Sequence, residues 1–157
     1  MNIKKNDGIM LIANVTIGIF NAETNELIDT IEKHNLFVTL GKTLIADLLA
    51  KTSGKTGLSY FAVGTGTAAA ALNNTTLETE VFRDTFTKTT VTTGNLNIQY
   101  YLASGDGNGN TLTEAGLFGD TATVTANSGT LAARVVHAAV VKTSSIAITY
   151  SWDLAIA

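Results

Sequence analysis

The sequence predicts a mainly β fold, a jelly-roll-like antiparallel β-sandwich with one short helix around residues 40–51. Several segments place large apolar residues at every second position, which is the period of a β-strand. Threonine, which favours pleated and half-exposed surfaces, accounts for 26 of the 157 residues. Runs of turn-forming residues separate the strand-like segments. We therefore expect layered sheets rather than alternating strands and helices.

The C-terminal segment, residues 145–157, has the clearest strand pattern. The alternate positions of this segment are small or polar, while its large apolar residues are Ile146, Ile148, Tyr150, Trp152, Leu154 and Ile156. Burying a side chain of this size contributes about 1.5 to 3 kcal/mol. Because all six would lie on one face, the strand requires a second layer, and we expect it to be a central strand of the core.

The N-terminal part predicts a hairpin. Residues 9–21 and 26–37 are both strand-like, and the polar residues 21–25 between them favour a short turn. This hairpin, over about residues 9–37, is a candidate docking element. Residues 40–51 then change to helical spacing, with Thr39 as the expected cap and Lys51 in the last turn.

The remaining segments predict further strands, a short helical stretch and loops. Strands are expected at residues 58–63, 85–91, 95–102, 112–118, 121–125 and 131–141, one or two helical turns near 75–78, and a loop at 104–110. The weak, polar alternation of residues 85–91 is typical of an edge strand. About eight strands in 157 residues fit one domain, residues 1–157, without an internal repeat.

Composition argues against several classes of partner. The net charge of −3 and scattered cations disfavour nucleic acid, whose binding needs clustered Lys and Arg. The chain has no Cys, which excludes disulfides and thiolate ligands. No apolar run approaches the roughly 20 residues that span a bilayer, and the N-terminus lacks the continuous apolar centre of a signal peptide. The low charged fraction of 15% favours a protein that packs against neighbours.

Glycine-rich motifs in the chain do not complete a nucleotide-binding pattern. Gly64 and Gly66 begin a dinucleotide motif, but Ala69 stands where its third glycine is required. Residues 41–43 and 54–56 both read Gly-Lys-Thr, as at the end of a phosphate-binding loop, without the earlier glycine. We expect no cofactor.

Candidate metal ligands and catalytic groups are few, and for each a structural role is the simpler interpretation. Asp106, Asn108 and Asn110 have the first ligand spacings of a calcium loop but lack its later glycine and glutamate, so a glycine and asparagine turn competes with a looser calcium site.

His137 is expected to be a hydrogen-bonded strand histidine, and His34 has no second ligand near it in sequence. Glu114 and Arg134 are expected to form a structural ion pair. Glu78 and Glu80 fall where a short helix is expected to begin, so they are not interpreted as paired catalytic acids. We expect no catalytic residue, no metal site and no enzymatic activity.

Several phrases of the sequence occur together in a known family. They are residues 35–41 (NLFVTLG), 60–67 (YFAVGTGT), 77–83 (LETEVFR), 100–104 (YYLAS), 108–118 (NGNTLTEAGLF), 131–134 (LAAR) and 142–145 (KTSS). In this combination the chain resembles small virion structural proteins of tailed bacteriophages, encoded among the tail and fibre genes. The resemblance covers about residues 35–157. It departs at residues 68–71, which are alanines where relatives tend to have a proline, and in a longer N-terminal hairpin.

The resemblance implies a structural protein of the virion, assembled in the host bacterial cytoplasm. Its partners would be copies of itself, as in a trimer or hexamer, and other virion proteins. Residues 9–33 and the edge at 85–93 are the candidate contacts. A tail, tail-fibre or baseplate position is the first interpretation, and a capsid decoration protein that stabilises the head is the second. A glycan-binding module for host attachment is an alternative of another class, for which exposed aromatic residues would be the sign.

Overall fold

The protein is mainly β, with two five-stranded antiparallel sheets packed as a sandwich and one short helix. The computed structural model describes residues 10–156. The elements are β1 (Leu11–Asn21), β2 (Leu27–His34), β3 (Leu36–Phe37), α1 (Thr39–Leu49), β4 (Leu58–Gly64), β5 (Glu80–Thr85), β6 (Lys88–Thr92), β7 (Asn95–Leu102), β8 (Thr111–Gly119), β9 (Thr130–Val141) and β10 (Ile146–Ile156). Sheet A has the order β2-β1-β10-β7-β6, and sheet B has the order β3-β9-β8-β4-β5.

Strand β10 is the middle strand of sheet A, as its alternation predicts. Tyr150 and Trp152 are fully buried, whereas Ile156 at the end of the strand is 58% exposed. The two sheets meet through aromatic rings. Phe61 of sheet B stacks on Tyr100 at 4.5 Å between ring centroids and lies 4.8 Å from Tyr150. The core therefore lies between the inward faces of β4, β7 and β10.

The predicted N-terminal hairpin is present in β1 and β2, which pair in antiparallel register. The inward residues of β1, among them Val15 and Ile17, are buried against the core. The segment expected as one strand over residues 26–37 divides at Asn35, because β2 belongs to sheet A whereas β3 pairs with β9 in sheet B. The first residue of the predicted hairpin, Ile9, lies outside the described residues.

Helix α1 covers sheet B through contact with β9. Its spacing is confirmed, but the expected cap at Thr39 is wrong, because the helix is capped by Val38 without a side-chain hydrogen bond. Lys51 lies beyond the helix end and has a positive φ of 53°. Gly41 faces the backbone of Ala132 so closely that a Cβ at this position would collide with it. The helix is thus seated on the strand through a residue without a side chain.

Two expected elements do not form, and one strand was missed. The helical turns near residues 75–78 are absent because the backbone amides of Glu78 and Thr79 donate instead to the carboxylate of Glu114. The strand expected over residues 121–125 is a compact loop. Glu80, expected at a helix start, lies in β5, an additional strand of sheet B.

Candidate functional site

The strongest polar cluster in the described structure is built around Glu114. This side chain is fully buried on β8, and its Oε2 lies 2.9 Å from both Nε and Nη2 of Arg134 on β9. Nη1 of Arg134 donates to Oδ1 of Asn74 at 2.9 Å. The predicted ion pair is therefore confirmed. The cluster joins β8 and β9, two neighbouring strands of sheet B, and includes Asn74 of the loop between β4 and β5. It therefore holds that loop against the sheet.

Backbone amides complete the coordination of the Glu114 carboxylate. Gly66 donates to Oε1 at 3.0 Å, Thr79 donates to Oε1 at 2.8 Å and Glu78 donates to Oε2 at 3.1 Å. The hydroxyl of Thr113 donates to the carbonyl oxygen of Gly66 at 2.8 Å. A buried carboxylate is stabilised when each lone pair finds a donor. Both ends of the loop are consequently held by one side chain.

The glycines of the Gly-Thr-Gly motif are required by this arrangement. A Cβ at Gly64 or Gly66 would collide with the carboxylate of Glu114. The backbone amides of this loop surround an anion, as those of a phosphate-binding loop do, but here the anion is the carboxylate of Glu114. The motif is explained by internal structure.

A second ion pair holds the loop between β8 and β9. Arg83 makes two parallel contacts with Glu80, at 2.7 and 2.9 Å, and both side chains are 2% exposed. Nη1 of Arg83 also donates to the carbonyl oxygen of Ser128 at 2.9 Å, and the amide of Asn127 donates to Glu80 at 3.0 Å. The guanidinium lies 4.0 Å from the ring centroid of Phe118. These contacts explain why residues 121–125 form a loop.

Lys142 is fully buried beneath the loop over residues 104–110. Its Nζ donates to Oδ1 of Asn108 at 2.9 Å, to the carbonyl oxygen of Thr143 at 3.1 Å and to that of Ser104 at 3.3 Å. Burial lowers the pKa of Lys142 from its usual range, and the charge of Asp106 opposes that effect. The ammonium group thus binds Asn108, one of the three side chains that the calcium hypothesis names as ligands. The sequence analysis missed this role, because a single lysine after an apolar run carries no distinctive signal.

The glycine and asparagine interpretation of the same loop is confirmed. Gly107 and Gly109 have positive φ angles of 63° and 81°. Oδ2 of Asp106 accepts from the amide of Ala103 at 3.1 Å, and Nδ2 of Asn110 donates to the carbonyl oxygen of Gly107 at 3.1 Å. These side chains stabilise the turn from within.

His137 has the structural role predicted for it. Nδ1 lies 2.8 Å from the carbonyl oxygen of Ala138, and Nε2 lies 3.3 Å from the hydroxyl of Tyr150. Burial lowers the pKa of His137, an effect that the Ala138 carbonyl and Glu114 oppose and Lys33 reinforces. Burial also raises the pKa of Tyr150. A neutral imidazole satisfies both hydrogen bonds.

The remaining candidate ligands and acids are dispersed. Oε2 of Glu78 accepts from the amide of Ala68 at 2.8 Å, whereas Glu80 is engaged with Arg83. His34 is exposed, and its Nδ1 lies 2.5 Å from Oδ1 of Asn14. Within residues 10–156, no three His, Asp or Glu side chains approach closely enough to hold a metal ion.

The central rows of the outward face of sheet A form a polar surface, here called the polar face. Its residues follow the register in rows across all five strands. One row is Glu32, Thr16, Ser151, Gln99 and Lys88, and the next is His34, Asn14, Asp153, Asn97 and Thr90. In the second row, Nδ2 of Asn97 donates to Oδ1 of Asp153 at 2.9 Å. Hydrogen-bonding side chains thus extend from one edge of the sheet to the other.

The two edges of sheet A differ from its centre in exposure. All five residues of β6 are exposed, and in β2 only Ile31 is half-buried. Leu27 and Ile28, near the hairpin turn, are each 55% exposed. Of the two segments expected to make contacts, residues 85–93 contain β6, and residues 9–33 contain β2 except for His34.

An apolar cavity of about 380 Å³ lies at the end of the sandwich next to α1. Its walls combine side chains of the helix with side chains of sheet A; they include Leu44, Ile45, Leu48, Val91, Leu96 and Ile156. Its volume is in the range of sites for small molecules. Val91 is 79% exposed and Ile156 is 58% exposed, so the opening of the cavity is also apolar. No residue pattern in the sequence indicated this cavity, because its walls come from distant segments.

Comparison with known proteins gives no relative for this chain. No family model, no curated protein and no solved structure matches it.

Within residues 10–156, no helix has the length and apolar character needed to cross a membrane.

Proposed function

We propose that this chain is a structural subunit of a tailed bacteriophage virion, part of the tail, a tail fibre or the baseplate, and that it acts through protein–protein contacts. The phrases that carry the resemblance come together in space. Residues 60–67, 77–83, 108–118 and 131–134 supply Gly66, Thr79, Glu114 and Arg134 to one cluster. This convergence is the observation on which the proposal depends, because it gives the motifs a common role in holding loops.

The second cluster supports the same interpretation. Residues 100–104, 108–118 and 142–145 supply Ser104, Asn108 and Lys142 to the buried ammonium site. Charged side chains that are placed inside a small sandwich to fix its loops preserve the shape of the outer surface. A protein that works by fitting against neighbours depends on such a shape.

The proposal is tested by immunogold electron microscopy of purified particles, with an antibody raised against the folded chain. We expect gold at the tail, at its fibres or at the baseplate. Label on the head would instead favour a capsid decoration protein. Particles that carry no label, although the antibody binds the isolated chain, would contradict a virion role.

A glycan-binding module is the second candidate, and one exposed aromatic residue favours it. Tyr101 is 43% exposed, whereas Trp152, Tyr100 and Tyr150 are buried. Aromatic rings that are open to solvent are the usual platforms for sugars. A glycan array with the isolated chain distinguishes the candidates. Specific binding that is lost in Tyr101→Ala would favour the glycan-binding function over a purely structural one.

A further inference from the structure

Strands β2 and β6 are the two edges of sheet A. Each is bonded to one neighbouring strand within the sheet, and on its other side no strand of the described residues follows it in the sheet order. Edge strands of this kind are often protected by proline. The chain has no proline, and β6 has the sequence Lys-Thr-Thr-Val-Thr, which is rich in residues that favour strands. Both edges are therefore suited to accept another strand.

The directions of the two edges match each other. Every neighbouring pair in sheet A is antiparallel, and four such steps separate β2 from β6. The two edge strands consequently run in the same direction. If a second copy is placed beside the first with its polar face on the same side, β6 of one copy lies parallel to β2 of the next. This contact is head-to-tail, since it joins two different surfaces.

The register places opposite charges at this contact. Glu32 on β2 and Lys88 on β6 end the same row of the polar face, so a straight continuation of the sheet sets Glu32 of one copy beside Lys88 of the next. Both side chains are exposed. Opposite charges on adjacent strands stabilise their pairing, and like charges destabilise it.

The other charges of these edges agree with that register. Strand β2 also carries Asp29 and Lys33, whereas Lys88 is the one charged residue of β6. Asp29 pairs in register with Ile19, whose side chain faces the core, so Asp29 lies on the side opposite the polar face. Lys33 follows Glu32 directly, and alternation along the strand directs it to the opposite side of the sheet. It pairs in register with Val15, whose side chain faces the core. On the polar face, Glu32 is therefore the acidic residue of β2, and it meets Lys88 of β6.

We infer that copies of this chain join head to tail by pairing strand β6 of one copy with strand β2 of the next, with Lys88 set beside Glu32. This inference rests on the proposed function, because it names the contact through which a structural subunit would assemble. The same contact, repeated, closes into a ring or extends into a filament, according to the angle between copies. Sheet A then continues from one subunit to the next.

Charge exchange tests this contact in the full-length chain. Sedimentation velocity is measured on the wild type, on Glu32→Lys, on Lys88→Glu and on the double variant. In each single variant the facing charges are alike at every contact, and we expect association to weaken about tenfold. The double variant should regain wild-type association. An equimolar mixture of the two single variants should also regain wild-type association, because every contact between one variant and the other then joins opposite charges.

A matched control separates this contact from a general effect of charge. Glu26→Lys makes the same change of charge roughly 20 Å along the edge from Glu32, and it should leave association unchanged. Circular dichroism should give the same folded spectrum for all variants, since the three side chains are exposed.

Zero-length cross-linking with a carbodiimide provides a second readout. Glu32 and Lys88 of one copy are separated by four strand spacings, roughly 19 Å, so an amide bond between them must join two copies. We expect this linkage in the wild-type dimer band.

The inference is overturned if the single variants associate as the wild type does, if neither the double variant nor the mixture recovers, or if the wild type sediments as a monomer at every concentration. The proposed function is judged separately, by the labelling of particles. Label on the virion together with unchanged association of the variants would leave the structural role in place and reject this contact.

Discussion

Glu114 is the residue on which the arrangement of the loops depends most. Its carboxylate is fully buried, pairs with Arg134 and accepts three backbone amides. The amides belong to both ends of the loop from β4 to β5. A change at this single position therefore affects the strand pair and the loop together.

Replacement Glu114→Gln should lower the free energy of unfolding by about 3 to 5 kcal/mol, because it leaves the buried guanidinium of Arg134 without its charged partner. Urea denaturation gives this value. Hydrogen exchange should also be faster at the amides of Gly66, Glu78 and Thr79, which lose the carboxylate as acceptor.

The control for this prediction is Glu78→Gln. Oε2 of Glu78 lies 3.9 Å from Nη2 of Arg134, but the side chain of Glu78 is 46% exposed. A pair of this kind contributes at most about 1 kcal/mol. Equal losses in the two variants would contradict the central role given to Glu114.

His137 makes stability depend on pH. Because burial lowers its pKa in the folded state, the unfolded chain takes up the proton first as pH falls below the ordinary value of 6.5. Stability is therefore complete above that pH and decreases as pH falls towards the folded pKa. In thermal unfolding measured from pH 8 to pH 5, His137→Gln should show a smaller decrease than the wild type.

The second histidine serves as the comparison for that measurement. His34 is exposed, so His34→Gln should keep the pH dependence of the wild type. If His34→Gln reduces the pH dependence of thermal unfolding and His137→Gln does not, burial of His137 is not the cause of that dependence.

At the residue scale, the roles that could be predicted were those with a partner recognisable in sequence. Glu114 and Arg134 are charged residues within apolar strands, and such residues need each other. Lys142 was not predicted, because its partners are loop oxygens whose positions only the fold determines. The pair of Arg83 with Glu80 was not predicted, because Glu80 was expected at a helix start and not in a strand with Arg83.

Among the elements, helix α1 approaches its neighbouring strand closely at one glycine. Gly41 lies against the backbone of Ala132, which cannot yield as a flexible side chain can. Replacement Gly41→Ala should therefore lower the free energy of unfolding by about 1 to 3 kcal/mol, the usual cost of overpacking. Denaturation monitored by the fluorescence of the buried Trp152 measures this change.

A second glycine gives the matched control. A Cβ at Gly57 would meet no atom within 4 Å. Gly57→Ala should change stability by less than about 1 kcal/mol, and its sign should be neutral or favourable. A large loss there would show that the cost at Gly41 is not a matter of space.

The strands with one apolar face were predictable from sequence, and the short polar elements were not. Strands β1, β7 and β10 follow their alternation. Strand β5 has little alternation, since its Glu80 and Arg83 turn towards each other. Residues 75–78 have the spacing of a capping box, but the amides needed for a helix donate to Glu114, which is 36 residues from Glu78. Local patterns do not record such distant competition.

Over the whole molecule, the polar groups of the interior and those of the surface have different roles. The buried ion pairs and the ammonium of Lys142 hold the loops, while the polar face and its two edges remain open to solvent. The sandwich could be predicted because burial of apolar faces determines it. The polar face followed only once the register of five strands was known, because its rows combine residues from five separate segments.

We propose that the chain acts by association with copies of itself, and light scattering across micromolar concentrations shows whether it does. We expect a mass that is a whole multiple of 16.4 kDa and that rises with concentration until one assembly dominates. A species of 16.4 kDa at every concentration would contradict it.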